Sequence, residues 1–389
     1  MKNAPVVDVD MAAFTADPYP TLKKLRGEAP IAFIQQLGGI AMSRRDDIVV
    51  CEKNIEVFSS HQPNGLMNVM MGHNMMRKDG DDHMVERRAM FPTVSPKTVR
   101  DEWSKQFAQD ANALLDEIEG KGHADLVSEY AMPLSAHALR AITGLKNMPF
   151  HRLDHCSQAM IDGVSNFAGD PETEARCHAA TAEIDAAIDE RLPIVEAELD
   201  SSMLSVLTRA GQPMDSVRAN IKLAISGGQN EPRDAIAGCI WALTTHPAEL
   251  EKVRSGAARW QQAFEEYARW ISPIGMSPRR VAAEHTYGGV TFEPEDKVFF
   301  LFGSANRDEE IFEDPDSYIV DRDTAKSIPF GAGPHFCAGA WASRSLISDV
   351  ALPFAFDRLK GLRLKAGADV PFAGWAFRGP LRLDVEWDV

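Results

Sequence analysis

The residues best suited to chemistry form a ten-residue stretch in which a cysteine follows a glycine-rich turn. The stretch reads Phe330-Gly331-Ala332-Gly333-Pro334-His335-Phe336-Cys337-Ala338-Gly339. Glycine lets the backbone approach a large planar ligand without side-chain clashes. A helix predicted from about Ala338 directs its positive end at Cys337, which favours the thiolate over the thiol. A thiolate aimed at a flat ligand is what a cysteine-ligated haem iron requires.

Two simpler interpretations exist for parts of this stretch. A single cysteine is usually a small buried hydrophobic residue, and glycine-rich turns before helices often bind phosphate. Neither interpretation explains why Phe330, Gly333, Cys337 and Gly339 occur together.

These four positions resemble the haem-binding signature of the cytochrome P450 family, Phe-x-x-Gly-x-x-x-Cys-x-Gly, with a basic residue two positions before the cysteine. The resemblance implies that Cys337 is the ligand of the iron of haem b. It also implies that Phe330, Gly331 and His335 lie at the cofactor.

Glu266 and Arg269 lie three residues apart on a helix predicted over 257–270, so they can form an ion pair. Taken alone, a solvated surface pair is the simpler interpretation. The residues resemble the Glu-x-x-Arg motif of the family, in which a buried pair braces the loop that carries the cysteine. Arg322 matches the third, basic member, and the role implied for all three is structural.

Three further basic residues resemble those that hold the haem propionates in the family. His83 and Arg87 are four apart and share a helix face, although a solvated charged face explains them equally well. Arg280 follows the Glu-x-x-Arg helix, and His335 completes the set. Two carboxylates on a mostly buried ligand need cationic partners.

A long helix predicted over 216–245 resembles the family's oxygen-binding helix. It contains the run Ala224-Ile225-Ser226-Gly227-Gly228-Gln229-Asn230-Glu231-Pro232-Arg233-Asp234. Gly227 and Gly228 are expected to open a groove for dioxygen, and Pro232 to reinforce a kink. The family usually has an acid followed by threonine here, whereas this chain has Asn230 and Glu231. A desolvated Glu231 could donate a proton, or it could merely cap the kink while a water acts as relay.

The same run and a C-terminal loop are similar to bacterial P450 enzymes of the guaiacol O-demethylase type. The loop reads Gly374-Trp375-Ala376-Phe377-Arg378-Gly379-Pro380. The resemblance implies that Phe377 packs over an aromatic substrate, although core packing would also explain it. The stretch over 66–73, which corresponds to the family's first substrate loop, is rich in methionine. Methionine side chains adapt to aromatic partners. Met71, Phe167 and Ala224 complete the predicted pocket.

The resemblance implies a monooxygenase that uses dioxygen and removes a methyl group from a methoxyaromatic as formaldehyde. Its electrons are expected from a separate ferredoxin or flavin reductase, because the chain shows no further cysteine cluster. The Asn230–Glu231 pair leaves two alternatives. One is turnover driven by hydrogen peroxide, and the other is a haem-thiolate binding protein without turnover.

Composition predicts a cytoplasmic globular protein. The chain has 389 residues, 44% hydrophobic and 25% charged, with a formal net charge of −16. The negative charge argues against nucleic acid or an anionic membrane as a partner. Five scattered cysteines do not suggest a disulfide framework. The N-terminal sequence shows no apolar run of signal or anchor length.

Hydrophobic periodicity predicts a mainly α-helical fold with small β-sheets, forming a single domain over 1–389. Helices are expected over 22–26, 99–119, 127–145, 174–198 and 338–356, in addition to the two above. Gly38-Gly39 separates two apolar runs and predicts a hairpin. The alternation of apolar and charged residues over 381–387 predicts a closing strand.

Overall fold

A computed structural model describes residues 3–166 and 169–389, so the predicted pocket residue Phe167 lies outside the described residues. The helices, in chain order, are α1 (Met11–Ala16), α2 (Tyr19–Glu28), α3 (Arg45–Lys53), α4 (Leu66–Met71), α5 (Gly80–Val94), α6 (Pro96–Thr98), α7 (Ser104–Ile118), α8 (Met132–Thr143), α9 (Phe150–Val164), α10 (Pro171–Ala197), α11 (Met203–Arg209), α12 (Met214–Ser226), α13 (Asn230–Thr245), α14 (Pro247–Arg254), α15 (Trp260–Ile271), α16 (Phe302–Ala305), α17 (Ala340–Arg344) and α18 (Leu352–Arg358).

The strands are short, and the helices are supplemented by brief π-helical and 3₁₀ segments. The strands are β1 (Val6–Val7), β2 (Ile31–Ile34), β3 (Gly39–Met42), β4 (Phe58–Ser59), β5 (His123–Asp125), β6 (Ser277–Val281), β7 (His285–Tyr287), β8 (Val290–Phe292), β9 (Lys297–Phe300), β10 (Arg363–Leu364), β11 (Phe372–Ala373), β12 (Gly379–Pro380) and β13 (Asp384–Glu386). The π-helical segments are Val99–Trp103, Val127–Ala131 and Ser345–Ala351, and the 3₁₀ segments are Met75–Arg77, Glu119–Lys121 and Gly333–His335.

The chain divides into two compact units, each built from separate stretches of sequence. The first unit comprises Met1–His61, Ala237–Cys337 and Ala366–Leu383, and the second comprises Gln62–Ile236, Ala338–Lys365 and Asp384–Val389. Mainly helical structure with small sheets is confirmed. The single domain over 1–389 stays a prediction. Within the described ranges, no helix combines the length and the apolar character needed to cross a membrane.

The first unit is organised around a six-stranded mixed sheet in the order β1-β2-β3-β9-β6-β4. One of its cores contains the ring of Phe58, which meets Phe292 edge-on at 5.2 Å and lies 5.9 Å from Phe300. Such aromatic contacts stabilise a core beyond the area that they bury. The chain continues from β3 into α3, and from β9 into the segments that lead to Cys337.

The predicted hairpin is confirmed as the antiparallel pair β2–β3, in which Ile34 lies opposite Gly39. Gly38 has a φ of +61°, which glycine adopts without strain. At Gly39 a Cβ atom would lie 2.7 Å from the Phe299 ring, so a side chain would push the neighbouring strand away. Glycine at positions 38 and 39 therefore permits both the turn and the close approach of β3 to β9.

The second unit buries a largely aliphatic and methionine-rich core between its helices. Cys156, Met160 and Cys177 on α9 and α10 are fully buried there, together with Ile184. The predicted closing strand forms only over β13, which pairs with β10 and β5 in an antiparallel sheet. Residue 381 and its neighbours before β13 are not part of that strand.

The long helix predicted over 216–245 is wrong as one continuous element. The structure interrupts it at Gly227–Gln229, between α12 and α13. Pro232 does not cause the break, because it lies in the first turn of α13, where its missing N–H group costs nothing. Two hydroxyls compensate for the interrupted ladder. Ser135 Oγ donates to the Gln229 carbonyl oxygen at 2.7 Å, and Ser157 Oγ donates to that of Ile225 at 3.1 Å.

The helix predicted over 338–356 also differs in detail. It begins at Ala340 rather than beside the cysteine, and a π-helical stretch over Ser345–Ala351 links α17 to α18. Pro353 lies in the first turn of α18, so it does not bend the end of the helix as expected.

Gly238 on α13 provides a test of close packing in the first unit. A Cβ atom at this position would collide with the hydroxyl and ring of the buried Tyr267. We expect Gly238→Ala to lower the free energy of unfolding by about 1–3 kcal/mol, despite the better helix propensity of alanine. Denaturant titration measures the change.

The matched control is Gly27→Ala on α2, because nothing lies within 4 Å of the added methyl group. We expect this substitution to be neutral or stabilising. Equal effects of the two substitutions would contradict the close approach of α13 to Tyr267.

Candidate functional site

The cysteine-bearing loop of the first unit is held by its own backbone. The N–H of Cys337 donates to the carbonyl oxygen of Phe330 at 2.9 Å, and that of Phe336 donates to Gly333 at 3.2 Å. Gly331 and Gly333 have φ values of +74° and +66°, which other residues rarely adopt. The tight turns therefore depend on glycine and fix the path of the chain into the cysteine.

Cys337 differs from the other four cysteines in its exposure. It is partly exposed, whereas Cys51, Cys156, Cys177 and Cys239 are buried. Burial raises the pKa of the Cys51 and Cys156 thiols to about 12 and that of Cys177 to about 11. Those groups remain thiols at neutral pH, and metal binding requires a thiolate.

The surroundings of Cys337 fit a haem. Cys337 supplies a soft sulfur ligand at the end of a loop whose turns depend on Gly331 and Gly333. Phe330 packs edge-on against Phe264 at 6.2 Å and contacts Phe336 at 6.3 Å. An apolar surface next to a single thiolate is the donor environment that haem iron accepts.

Glu266 and Arg269 form a completely buried ion pair rather than a solvated one. Arg269 donates from Nε to Glu266 Oε2 at 2.7 Å and from Nη2 to Oε1 at 2.8 Å, and both side chains are 0% exposed. Arg322 Nε donates to the same carboxylate at 3.0 Å. These contacts bring together the three residues that sequence analysis assigned to a structural role.

The same arginine organises the segment that precedes the cysteine loop. Arg269 Nη1 donates to the carbonyl oxygens of Asn306 and Pro315, both at 2.9 Å, and Nη2 donates to Ser317 at 3.1 Å. Backbone carbonyls far apart in sequence are thus gathered around one guanidinium. The pair fixes an irregular segment that lacks a regular ladder of its own.

The four residues predicted at the propionates are found in both units. In the first unit, Arg280 donates to the His61 carbonyl oxygen at 2.9 Å and pairs with the exposed Glu295, while His335 is partly exposed. In the second unit, His83 is buried and Arg87 partly exposed, four residues apart on α5. Their action on propionates stays a prediction.

The break between α12 and α13 contains buried polar side chains of the second unit. Gln229 Nε2 donates to Asp154 Oδ1 at 2.8 Å and to the Met132 carbonyl oxygen at 3.2 Å. Asn230 Nδ2 donates to Gln158 Oε1 at 3.2 Å. This network is not evident from the sequence, because spacing along the chain does not reveal which groups on α9 face the break.

Three consecutive residues at the break also carry buried oxygen atoms without a hydrogen-bond partner among the described residues. The atoms are Gln229 Oε1, Asn230 Oδ1 and Glu231 Oε2. Since buried polar groups are nearly always satisfied, water or a ligand is expected to pair with them. This local concentration of acceptors distinguishes the break from an ordinary helix kink.

Glu231 is the titratable group of the break. Burial raises the pKa of its carboxyl to about 7, and the nearby Asp234 adds to the rise, whereas Arg233 acts against it. Arg233 Nε lies 2.9 Å from Asp234 Oδ1, so the arginine charge interacts mainly with Asp234 rather than with Glu231. A carboxyl with this pKa exchanges a proton readily at neutral pH.

The remaining pocket candidates differ in exposure. Phe377 is partly exposed on a loop held by the hydrogen bonds of Gly275 N–H to Ala376 and of Arg378 N–H to Pro273. Met71 at the end of α4 is 1% exposed within the core of the second unit, and Ala224 packs against that core. Their contact with a substrate stays a prediction.

The sequence of this chain is similar to cytochromes P450. Residues 260–344 match the family described as Cytochrome P450. The steroid C26-monooxygenase of Mycolicibacterium smegmatis is 26% identical over 379 residues, which cover 95% of this chain and 93% of that protein. Cytochrome P450 107B1 of Saccharopolyspora erythraea is 27% identical over 305 residues, or 77% and 73% of the two chains.

The fold is similar to solved P450 structures over nearly the full chain. P450BioI in complex with an acyl carrier protein ligated to hexadec-9Z-enoic acid has a TM-score of 0.88 at 22% identity, covering 97% of this chain and 100% of that one. The Bacillus subtilis polyketide synthase P450 PksS has a TM-score of 0.85 at 24% identity, covering 97% and 98%. None of these four proteins is described as an enzyme of methoxyaromatics.

The buried ion pair on α15 generates a stability prediction. We expect Glu266→Gln to lower the free energy of unfolding by about 3–5 kcal/mol, because Arg269 and Arg322 would be left without their anionic partner. Denaturant titration of the holoprotein measures the loss.

Asp357→Asn is the matched control, because Asp357 and Lys360 form an ion pair of the same three-residue spacing at 82% and 69% exposure. We expect that substitution to change stability very little. A comparable loss in both variants would contradict the bracing role of the buried pair.

Proposed function

We propose that the chain is a haem-thiolate monooxygenase of the cytochrome P450 family, to which its sequence is similar, and that it acts on a small aromatic substrate, with O-demethylation of a methoxyaromatic as its reaction. The observation that carries the proposal is the glycine-turn loop ending at the partly exposed Cys337. The cofactor of the family is haem b, and the donor set of this loop fits it.

Each site residue has a proposed role toward that cofactor. Cys337 is the iron ligand, and Phe330 and Gly331 provide the apolar wall and the close backbone approach. His83, Arg87, Arg280 and His335 bind the two propionates as cations or hydrogen-bond donors. When bound, haem supplies the dioxygen-activating chemistry that monooxygenation needs.

The aromatic character of the substrate is supported by the side chains proposed for its pocket. Phe377 presents a partly exposed ring on a loop that backbone hydrogen bonds hold in place. The methionines of α4, with Met71 and Ala224, supply an adaptable apolar surface that favours aromatic partners. Phe167 remains a further candidate. These residues position the methyl carbon and exclude water.

The overall reaction balances with the partners proposed. One oxygen atom of dioxygen enters the methyl C–H bond, and the other leaves as water after two electrons and two protons are supplied. The hydroxylated methyl group then separates as formaldehyde and leaves a phenol. A separate ferredoxin or flavin reductase supplies the electrons.

A spectral titration of the haem-loaded protein tests the proposal. If an aromatic substrate binds beside the haem, methoxy-substituted aromatics should shift the haem absorption and should yield formaldehyde with a surrogate reductase. Phe377→Ala should weaken binding of the aromatic ligand by about fivefold or more, since an aromatic contact contributes about 1 kcal/mol in addition to the buried area. Phe91→Ala, at an exposed position on α5, is the control.

Three outcomes separate the alternatives. A reduced carbonyl complex without the red-shifted thiolate band would overturn ligation by Cys337. Binding without formaldehyde under any electron supply would identify a haem-thiolate binding protein. Formaldehyde with hydrogen peroxide, and none with the reductase, would identify a peroxygenase.

We propose that Glu231 delivers protons during turnover, with Asn230 beside it and with Gly227 and Gly228 opening the oxygen groove. Its Oε2 atom is buried without a hydrogen-bond partner in the described part of the chain. A proton held there is available to a ligand or a water in the break. Glycine is needed at position 228 for the backbone of the break, since a Cβ atom there would lie 2.6 Å from the Ala224 carbonyl oxygen.

Glu231→Gln should lower the product formed per electron consumed by about tenfold or more, because general acids contribute at least this much. In the unsubstituted protein this ratio should fall as the pH rises above about 7, where the carboxyl loses its proton. The ratio of product formed to electrons consumed across a pH series measures both effects, with Glu28→Gln on the surface of α2 as the control. An unchanged ratio in Glu231→Gln would exclude the relay.

Stability provides a second readout for the same residue. The folded state raises the pKa of Glu231 from its ordinary value of 4.5 to about 7, so it binds more protons than the unfolded chain in that interval. The free energy of unfolding contributed by this group therefore decreases as pH rises from 4.5 to 7. In Glu231→Gln, the free energy of unfolding should lack this part of its dependence on pH.

A further inference from the structure

A second buried ion pair of the first unit lies against the cysteine-bearing loop. Glu52 on α3 and Arg279 on β6 are 2% and 3% exposed, and Arg279 Nη2 donates to Glu52 Oε1 at 3.1 Å. The other oxygen, Oε2, accepts the N–H of Ala332 at 2.7 Å. One carboxylate therefore joins a strand of the six-stranded sheet to the backbone five residues before Cys337.

Two glycines of the loop lie close to Glu52, one against its carboxylate and one against its backbone. A Cβ atom on Gly331 would lie 3.3 Å from Glu52 Oε1, and one on Gly333 would lie 3.1 Å from the Glu52 carbonyl oxygen. Both glycines have positive φ. The turn and α3 are thus in close contact, and the positions of the two backbones are coupled.

The far end of the pair is also fixed. Arg279 Nη1 donates to Ser277 Oγ at 2.6 Å and to the Pro278 carbonyl oxygen at 2.8 Å, and its guanidinium lies 5.4 Å from the centre of the Phe300 ring. These contacts hold the guanidinium in one orientation. A charged hydrogen bond from a fixed donor positions its acceptor more strictly than a neutral one does.

Burial alone does not favour a charge at this place. It raises the pKa of the Glu52 carboxyl to about 6, while Arg279 and the Ala332 N–H act against that rise. The carboxyl is therefore mostly ionised at neutral pH. A desolvated pair adds little stability compared with apolar residues of the same size, which favours a positional role for it.

We propose that Glu52 and Arg279 are positioning residues for the Cys337 thiolate: the pair anchors the loop through Ala332 and so holds the sulfur in its ligating position. The inference rests on the proposed ligation of haem by Cys337. It differs from the Glu266–Arg269 brace, which gathers the segment over 306–317, because it contacts the cysteine-bearing loop itself.

The test compares Glu52→Gln with the matched variant Asp308→Asn. Asp308 is also a buried carboxylate that accepts a backbone N–H and an arginine, but its bonds go to Arg45 and Arg44. Both variants should lose stability. Only Glu52→Gln should change the haem signals. Its reduced carbonyl complex should convert from the thiolate band to the shorter-wavelength thiol band about tenfold faster than that of the unsubstituted protein. The midpoint potential of its haem should also be higher.

The double variant Glu52→Leu with Arg279→Met keeps the test decisive if Glu52→Gln fails to fold, because it leaves no unpaired buried charge. It should fold and still show the accelerated loss of the thiolate band. A double variant whose band and potential match those of the unsubstituted protein would overturn the inference. Absence of the thiolate band in the unsubstituted protein would instead overturn ligation by Cys337.

Discussion

The hydrogen bonds and ion pairs of the desolvated Glu266 carboxylate hold together the irregular segment of the first unit that leads to the cysteine. It accepts hydrogen bonds from Arg269, Arg322 and the N–H of Ile319, and no water reaches it. Arg269 in turn collects carbonyl oxygens from the irregular segment that follows α16. Without this anion, two guanidinium groups and several backbone carbonyls would lose their partners together. Breaking such a buried pair is therefore strongly destabilising.

A second carboxylate, Glu52, applies the same principle nearer to the sulfur. Both sites combine a buried anion, an arginine and backbone N–H groups, yet they differ in what they hold: one orders the approach to the loop, and the other contacts the loop itself. The polar break between α12 and α13 follows a different principle. There the acceptors of Gln229, Asn230 and Glu231 remain unsatisfied by the described residues, which leaves them available to a water or a ligand.

Local signals in the sequence predicted those features that depend on local chemistry. The hairpin at Gly38 follows from turn preferences, and the Glu266–Arg269 pairing follows from helical spacing. The break at Gly227–Gln229 was not predictable from periodicity, because Ser135 and Ser157, distant in sequence, supply the compensating hydrogen bonds. Glu52 was missed for a related reason. It occupies a helix of ordinary polar pattern, and only tertiary structure brings Arg279 and Ala332 to it.

The contrast among the five cysteines has a practical consequence for handling the protein. Four sulfurs are enclosed and protonated, whereas residue 337 alone among them is partly accessible. Alkylating reagents are therefore expected to modify haem-free polypeptide at a single position, and iron bound there, as proposed, would protect that position. The stoichiometry of labelling by mass spectrometry would then report the fraction of a preparation that retains cofactor, without relying on its colour.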